Sequence, residues 1–227
     1  MEYLTTQQVG NAPGGNQIAN SNDSTYAGAG GSIVNGATII EKIQVGAGPN
    51  QRIGRQVKIK DVYMRYRIST NSGTSYQSAL GTAGVNLIAP AQVRFLVLWD
   101  ASPNGVDKVQ KFSEIFGANM MANLKQEYIN RYAILYDQIH TFAGHTAIVG
   151  AGAAYANPTI SFAEGDKFVY KKLRVNRVAT YSASNGELTD LQTGNLIFHA
   201  ITDSPQPNAT TSNFVWYMSA RVTYSDS

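Results

Sequence analysis

The chain has 227 residues, 43% hydrophobic and 15% charged, and a formal net charge of +3 at pH 7. It has no cysteine, which excludes disulfides, thiolate metal sites and cysteine nucleophiles. The N-terminus lacks a basic region followed by an apolar one, and no run approaches the ~18 apolar residues of a membrane helix, so we expect neither a secretory signal nor a membrane span.

The first 36 residues are rich in Gly, Asn, Ser, Thr and Gln and contain no Lys or Arg. A segment of this composition cannot bury enough apolar surface to fold alone. We therefore predict a flexible N-terminal arm over residues 1–36 and a single domain over residues 37–227. The first strand candidate of that domain is Ala37–Val45, and a turn over Gly46–Asn50 follows it.

The segment Gln56–Ser69 has an alternating pattern that breaks once. Its apolar residues are Val57 and Ile59 on one parity and Val62, Met64, Tyr66 and Ile68 on the other. A β-bulge near Asp61 adds one residue and would place all six on one face. The cations Lys58, Lys60, Arg65 and Arg67 would then share the opposite face. The alternative is two separate strands that meet at a corner.

The middle of the chain contains a strand and a helix. Ala91–Asp100 alternates with large apolar groups on both parities, which predicts a strand at the centre of a sheet with both faces covered. Pro103-Asn104-Gly105 is typical of a sharp turn. Val109–Phe116 has apolar residues at helical spacing and Gly117 placed to end it, so we predict a helix of about two turns.

The second half supplies the remaining strands. Period-two patterns predict strands over Ile129–Phe142, Lys167–Arg177, Val178–Ser184, Asn195–Thr202 and Asn213–Tyr224. The chain thus has about eight strands, one short helix, long loops such as 70–90 and 144–158, and no alternation of strands with helices. This pattern predicts an all-β fold: a single antiparallel jelly roll, or a sandwich, of two packed sheets.

Residues suited to catalysis are scattered. His140, His145 and His199 have no metal-binding spacing, and the glycine-rich stretch 149–156 lacks the third glycine of a dinucleotide fingerprint. The carboxylates are Asp100, Asp137, Glu164, Asp166 and Asp190. An acid/base pair or a Ca²⁺ site among them stays open, but solvated or turn-capping acids are favoured. We expect no enzyme, metal or cofactor.

Basic residues form two clusters. Residues 52–67 hold six of the 18 Lys and Arg residues, and residues 167–177 hold five. Cations interleaved with tyrosines such as Tyr63, Tyr66 and Tyr170 are typical of sequence-tolerant nucleic-acid binding. The alternative is a solvated sheet face whose cationic stems cover apolar surface. The candidate binding residues are Arg52, Arg55, Lys58, Lys60, Arg65, Arg67, Lys171, Lys172 and Arg174.

Four stretches together resemble a known family. They are Gln51–Ile68, Gln92–Gly105, Phe112–Phe116 and Asn130–Phe142. In order and spacing this set is similar to capsid proteins of small circular Rep-encoding single-stranded DNA viruses, which have satellite-necrosis-virus-like shells. The set covers most of residues 37–143, and the rest of the chain matches only as a strand pattern.

The resemblance implies an eight-stranded jelly roll that self-assembles into a small T=1 icosahedral shell around single-stranded DNA, without catalysis. It implies a virion protein that passes through the host nucleus. Such proteins usually begin with an Arg/Lys-rich arm, which residues 1–36 do not provide. Either such an arm is missing from this sequence, or the genome contacts the inner sheet surface. A carbohydrate-binding sandwich that uses Tyr26, Tyr76 and Tyr155 is the alternative function.

Overall fold

The computed structural model describes residues 3–9, 16–20, 33–34, 37–38, 43–48, 51–70, 85–87, 91–103, 111–117, 119–142, 146–148, 166–183, 190–203 and 214–226. The strands are β1 Tyr3–Val9, β2 Asn16–Asn20, β3 Ile33–Val34, β4 Ala37–Thr38, β5 Gln56–Thr70, β6 Val85–Leu87, β7 Ala91–Asp100, β8 Tyr132–Phe142, β9 Thr146–Ile148, β10 Asp166–Tyr181, β11 Leu191–Thr193, β12 Asn195–Thr202 and β13 Phe214–Asp226. The helices are α1 Phe112–Ile115 and a 3₁₀ turn, Gln126–Tyr128. None of the helices in these ranges has the length and hydropathy needed to cross a membrane.

The long strands form two antiparallel sheets. In the first sheet the strands lie in the order β11, β10, β5, β13 and β1, and in the second in the order β4, β12, β7 and β8. Strand β2 connects the sheets, because it pairs with both β13 and β12. The sheets pack face to face as a jelly-roll-like β-sandwich, which confirms the predicted fold class.

The core lies between the two sheets and is strongly aromatic. The ring of Tyr66 on β5 stacks on Phe95 of β7, with centroids 3.7 Å apart. Trp216 on β13 contacts Phe198 of β12 with a centroid separation of 4.8 Å. Burying a large apolar side chain contributes about 1.5–3 kcal/mol, so these contacts hold the sheets against each other.

Strand β5 contains the predicted bulge. Along β13, Thr223 pairs with Asp61 and the next residue, Tyr224, pairs with Ile59, so Lys60 is an extra residue on β5. The six apolar residues of β5 are at most 3% exposed and all belong to the core: Val57, Ile59, Val62, Met64, Tyr66 and Ile68. One continuous strand with one inserted residue is therefore present, rather than two strands with a corner.

Strand β7 lies between β12 and β8 and is buried on both faces, as predicted. Its inner residues, which include Phe95, join the core between the sheets. Its outer residues Leu96 and Leu98 pack in a second apolar cluster with Phe112 and Phe116 from the region of α1. The helix therefore covers the outer side of the second sheet.

Helix α1 is a single turn, shorter than the two turns predicted. The Phe116 amide donates to the Phe112 carbonyl at 2.8 Å and closes that turn. Gly117 then has a φ of +137°, a conformation that glycine tolerates and other residues rarely adopt. The helix thus ends where the sequence predicted, while Val109 lies outside the described residues.

Three predicted strands differ from the observed ones by more than two residues or in their continuity. Strand β8 begins at Tyr132 rather than Ile129, because the 3₁₀ turn precedes it and the Arg131 amide donates to the Tyr128 carbonyl at 3.0 Å. Strand β10 is continuous over the two segments predicted separately, and an irregularity between Arg174 and Arg177 accommodates the change of pattern. Of the predicted strand at 37–45, the described strand is β4, whereas Val45 makes an isolated bridge to Arg52.

Parts of the predicted arm pair with the sandwich. Strand β1 lies antiparallel to β13, from Tyr3 opposite Tyr224 to Val9 opposite Met218. Strand β2 follows further along the same edge. The domain boundary at residue 36 stays a prediction.

Candidate nucleic-acid interface

The candidate interface is the side of the first sheet that faces away from the core, on β5, β10 and β13. Opposite residues of antiparallel neighbours project to the same face of a sheet. Four rows cross the three strands in the order β10, β5, β13: Phe168–Arg67–Tyr217, Tyr170–Arg65–Ser219, Lys172–Tyr63–Arg221 and Arg174–Asp61–Thr223. We call this surface the outer face.

The described part of the outer face is strongly cationic. Its cations are Lys58, Lys60, Arg65, Arg67, Lys172, Arg174 and Arg221, and its carboxylates are Asp61 and Asp166. Asp166 accepts from Arg67 at 2.6 Å and Asp61 lies 3.3 Å from the Lys172 ammonium. Since these carboxylates are outnumbered, the face keeps a positive excess, although the whole chain carries only +3.

Aromatic rings stand beside the cations of this face. The Arg65 guanidinium lies 5.3 Å from the centroid of Tyr170, and that of Arg67 lies 5.3 Å from Phe168 and 5.8 Å from Tyr217. The Lys172 ammonium lies 5.0 Å from the ring of Tyr63. A hydrogen bond with the Tyr63 hydroxyl, followed by one with Asp61, raises the pKa of Lys172, so it stays charged at neutral pH.

A groove of about 470 Å³ crosses the first two rows and opens to solvent. The two rows that line it are Arg67 with Phe168 and Tyr217, and Arg65 with Tyr170 and Ser219. Phe168 is 72% exposed and Tyr170 is 59% exposed. Large aromatic side chains at such exposure point to a contact surface rather than to core packing.

Arg52 is a correction to the predicted site. It is fully buried, and its guanidinium donates to the carbonyls of Ile43, Gly54 and Ala183 while it stacks over Tyr181 at 4.4 Å. Burial lowers the pKa of Arg52, but a guanidinium stays protonated in proteins. Arg52 therefore fastens the loop before β5 to the end of β10 and is not available to a ligand.

Two further predicted residues, Lys171 and Arg55, lie away from the outer face. Lys171 pairs with Met64, whose side chain is in the core, so it shares the inward parity of β10. Its ammonium lies 5.8 Å from the ring of Tyr136 on β8, at the margin between the sheets. Arg55 is exposed just before β5, where its carbonyl accepts from the Tyr181 amide at 2.8 Å.

The sequence prediction missed Phe168, Tyr217 and Arg221 on this face. The signal was present in the alternation. Phe168 shares a parity with Lys172 and Arg174, and Arg221 shares one with Tyr217 on β13, opposite the core residues. Arg221 is a single cation outside the two basic clusters, and Phe168 and Tyr217 carry no charge.

Two of the candidate carboxylates outside the outer face are paired with arginines. Asp137 accepts two hydrogen bonds from Arg94, and Asp100 accepts two from Arg131. Asp190 is buried, and its backbone carbonyl accepts a hydrogen bond from the Ser182 amide at 2.6 Å. Glu164 lies outside the described residues. Within the described ranges, no group of three or more His, Asp or Glu side chains is placed to hold a metal ion.

The histidines are placed differently from one another. His140 on β8 contacts the Tyr66 hydroxyl at 2.8 Å, and Tyr136 lies 2.9 Å from the same hydroxyl, so this cluster joins the two sheets. His199 is fully buried on β12 against Phe112. His145, the glycine-rich stretch 149–156 and the tyrosines proposed for carbohydrate, Tyr26, Tyr76 and Tyr155, lie outside the described residues.

No protein-family model and no curated protein sequence matches the chain. Eight chains of solved structure match it. One is the crystal structure of a 60-mer BFDV capsid protein, with 12% identity and a TM-score of 0.25 over 99% of this chain and 90% of that chain. A TM-score of 0.25 is too low to assign the fold or the function of that protein to this chain.

Proposed function

We propose that this chain is a capsid subunit that self-assembles into a small icosahedral shell and encloses a single-stranded DNA genome. The observation that carries the nucleic-acid part is the outer face, where cations on three adjacent strands outnumber the carboxylates. Nucleic-acid backbones are polyanions, and their binding to such faces is sequence-tolerant. We assign the genome side of the shell to this face.

The fold supports the shell part of the proposal. Three of the four stretches that resemble capsid proteins contain most of β5, most of β7 and all of β8, and the fourth contains α1. The resemblance thus lies in elements that build the sandwich and its second apolar cluster. The charged fraction of 15% is low against ~25% in average proteins, as expected of a subunit that covers much of its surface with copies of itself.

A structural role without catalysis completes the proposal. Among the described residues, three of the acids considered for acid/base chemistry are paired with arginines: Asp100, Asp137 and Asp166. We place the protein in the virion and, during assembly, in the host nucleus.

Electron microscopy and sedimentation of the purified protein in neutral buffer test the shell. We expect closed particles of uniform size that sediment as one species and carry nucleic acid, measured by the absorbance ratio at two ultraviolet wavelengths. A protein that stays monomeric at all salt and protein concentrations would contradict the proposal.

Charge neutralisation tests the genome side. The variant carries Lys58→Gln, Lys60→Gln, Arg65→Gln and Arg67→Gln. We expect it to fold and assemble but to retain less nucleic acid than the wild type, because these partly or fully exposed side chains are outside the core. The control variant, Lys111→Gln with Lys125→Gln, alters cations beside α1 on the far sheet. Equal nucleic-acid content in both variants would contradict the assignment of the outer face to the genome.

A further inference from the structure

We infer that the groove on the outer face binds unpaired nucleotide bases by stacking them on Phe168 and Tyr170, and so selects single strands over duplexes. This inference rests on the proposed nucleic-acid role of the face and adds a ligand class and a mechanism. It requires only that the subunit meets nucleic acid, whether or not a closed shell forms.

The first step is the exposure of the two rings. Phe168 and Tyr170 are among the exposed large hydrophobic residues, at 72% and 59%. Each ring has an arginine of β5 beside it, 5.3 Å from the ring centroid. Each ring packs against a guanidinium and stays more than half exposed, so it keeps apolar surface in contact with water. Burial of that surface by a ligand is favourable. A nucleotide base, which has a π-face whatever its sequence, matches such surface.

The spacing of the rings favours a single strand. Phe168 and Tyr170 are two positions apart on one strand, which corresponds to about 6.8 Å along β10. Bases within one strand of a duplex rise only about 3.4 Å per nucleotide. Neighbouring bases can each reach a ring only if the strand is stretched and its bases are unstacked. In a duplex both faces of each base are already covered by its neighbours.

The charges beside the rings suit a phosphate backbone. Arg65 lines the groove together with Arg67, and Lys172 follows two positions along from Tyr170. Arg67 forms an ion pair with Asp166 at 2.6 Å, whereas the guanidinium of Arg65 packs over the ring of Tyr170. Phosphates therefore find Arg65 and Arg67 beside the rings and Lys172 beyond Tyr170, so base contact and charge contact occur on one face.

The experiment measures binding by fluorescence anisotropy at one fixed salt concentration. The probes are a thymidine oligonucleotide, its duplex with the adenine complement, and inorganic polyphosphate, which has charge but no bases. The variant is Phe168→Ala with Tyr170→Ala. Its matched control is Val178→Ala, which removes an exposed apolar side chain of the same strand outside the groove. A third protein, Arg65→Gln with Arg67→Gln, reports the charge contribution.

We expect the ring variant to bind the single strand at least tenfold more weakly than the wild type, with polyphosphate and duplex affinity nearly unchanged. The arginine variant should weaken all three probes. Tyr170→Trp, which restores a larger ring, should keep single-strand affinity if Phe168 is intact.

Three results would overturn the inference: an effect of the ring variant no larger than that of Val178→Ala, an equal loss for all three probes, or wild-type binding without preference for the single strand. Circular dichroism and the polyphosphate affinity report whether each variant is folded. Electron microscopy of the same proteins separates this inference from the proposed shell. Selective single-strand binding by a monomer supports the groove and contradicts the shell. Closed particles that assemble in the presence of the oligonucleotide and yet remain empty do the reverse.

Discussion

Arg94 shows how a single residue joins parts of this chain that are distant in sequence. Its side chain is nearly buried on β7. It donates twice to Asp137 on β8 and also to the carbonyls of Met120 and Ala122, at 2.7 and 2.8 Å. The rings of Phe112 and Phe116 lie within 5.8 Å of its guanidinium. Arg94 therefore holds the segment after α1 against the second sheet.

We expect Arg94→Leu to lower the free energy of unfolding by about 3 kcal/mol, because it leaves a carboxylate and two carbonyls without their donor. The control is Arg67→Leu, which breaks an ion pair of the same type on the exposed outer face. Exposed pairs contribute roughly 0–1 kcal/mol. Urea denaturation measures both, and similar losses in the two variants would show that Arg94 is not an anchor.

Titration of a single side chain, His140, makes the stability of the protein depend on pH. Burial first, and then the charge of Lys167, lowers the pKa of His140. The unfolded chain binds a proton near pH 6.5, whereas the folded chain resists it until a lower pH. Stability is therefore full above about pH 6.5 and falls as the pH drops below it, down to the folded pKa.

The test compares urea denaturation at pH 7.5 and pH 5.5 for the wild type and His140→Gln, at fixed protein concentration. Protonation of His140 should lower the free energy of unfolding of the wild type by less than about 1.4 kcal/mol, which corresponds to one unit of pKa shift for one group. The loss stays below this value because the ring is only partly buried. The glutamine variant should lose clearly less. Tyr66→Phe keeps the ring stack on Phe95 and serves as a control for the hydroxyl. Equal pH dependence in wild type and His140→Gln would refute the assignment.

At the scale of the element, the bulge in β5 decides which residues reach the outer face. Side chains alternate with period two, so a one-residue shift moves every side chain beyond it to the other face. Lys60 is the extra residue opposite Thr223 and Tyr224. Without it, the strand end that carries Val57 and Ile59 would turn its apolar side chains outward and bring Lys58 into the core.

Deletion of Lys60 should therefore cost more than about 3 kcal/mol, the transfer free energy of two buried aliphatic side chains. Lys60→Ala, which keeps the bulge, is the matched control and should lie within about 0.5 kcal/mol of wild type. Thermal and chemical denaturation measure both. Comparable stability of the deletion and the substitution would mean that the register is set elsewhere.

At the scale of the whole molecule, charge is concentrated on one face of a nearly neutral chain. If the outer face contacts nucleic acid, the logarithm of affinity for a single strand falls linearly with the logarithm of salt concentration, by about 0.7 for each phosphate neutralised. Neutralising Lys58, Lys60, Arg65 and Arg67 should make this slope shallower by up to roughly 2.8. Titrations at several salt concentrations measure it, and an unchanged slope would place the bound phosphates on another surface.

The alternation of apolar and polar residues along the sequence by itself determined several strands of this protein and the faces of their side chains. Ala91–Asp100 and Asn195–Thr202 are strands with the predicted bounds, and the six inward residues of β5 follow from one inserted residue. Such patterns are readable because successive side chains of a strand point to opposite faces whatever its neighbours are. The same rule predicted that the cations of β5 face outward. The parity of Arg221 and Phe168 is consistent with it as well.

Only the tertiary structure decided which strands are neighbours, and with that the composition of the site. The rows that join Arg67 to Phe168 and Tyr217 depend on the order β10, β5, β13, which no local pattern contains. In sequence Arg52 is indistinguishable from the basic residues near it. In the structure it is buried and donates to the Ala183 carbonyl, 131 residues away. The physical reason is that burial and electrostatic contact depend on distances in space, whereas alternation depends only on distances along the chain.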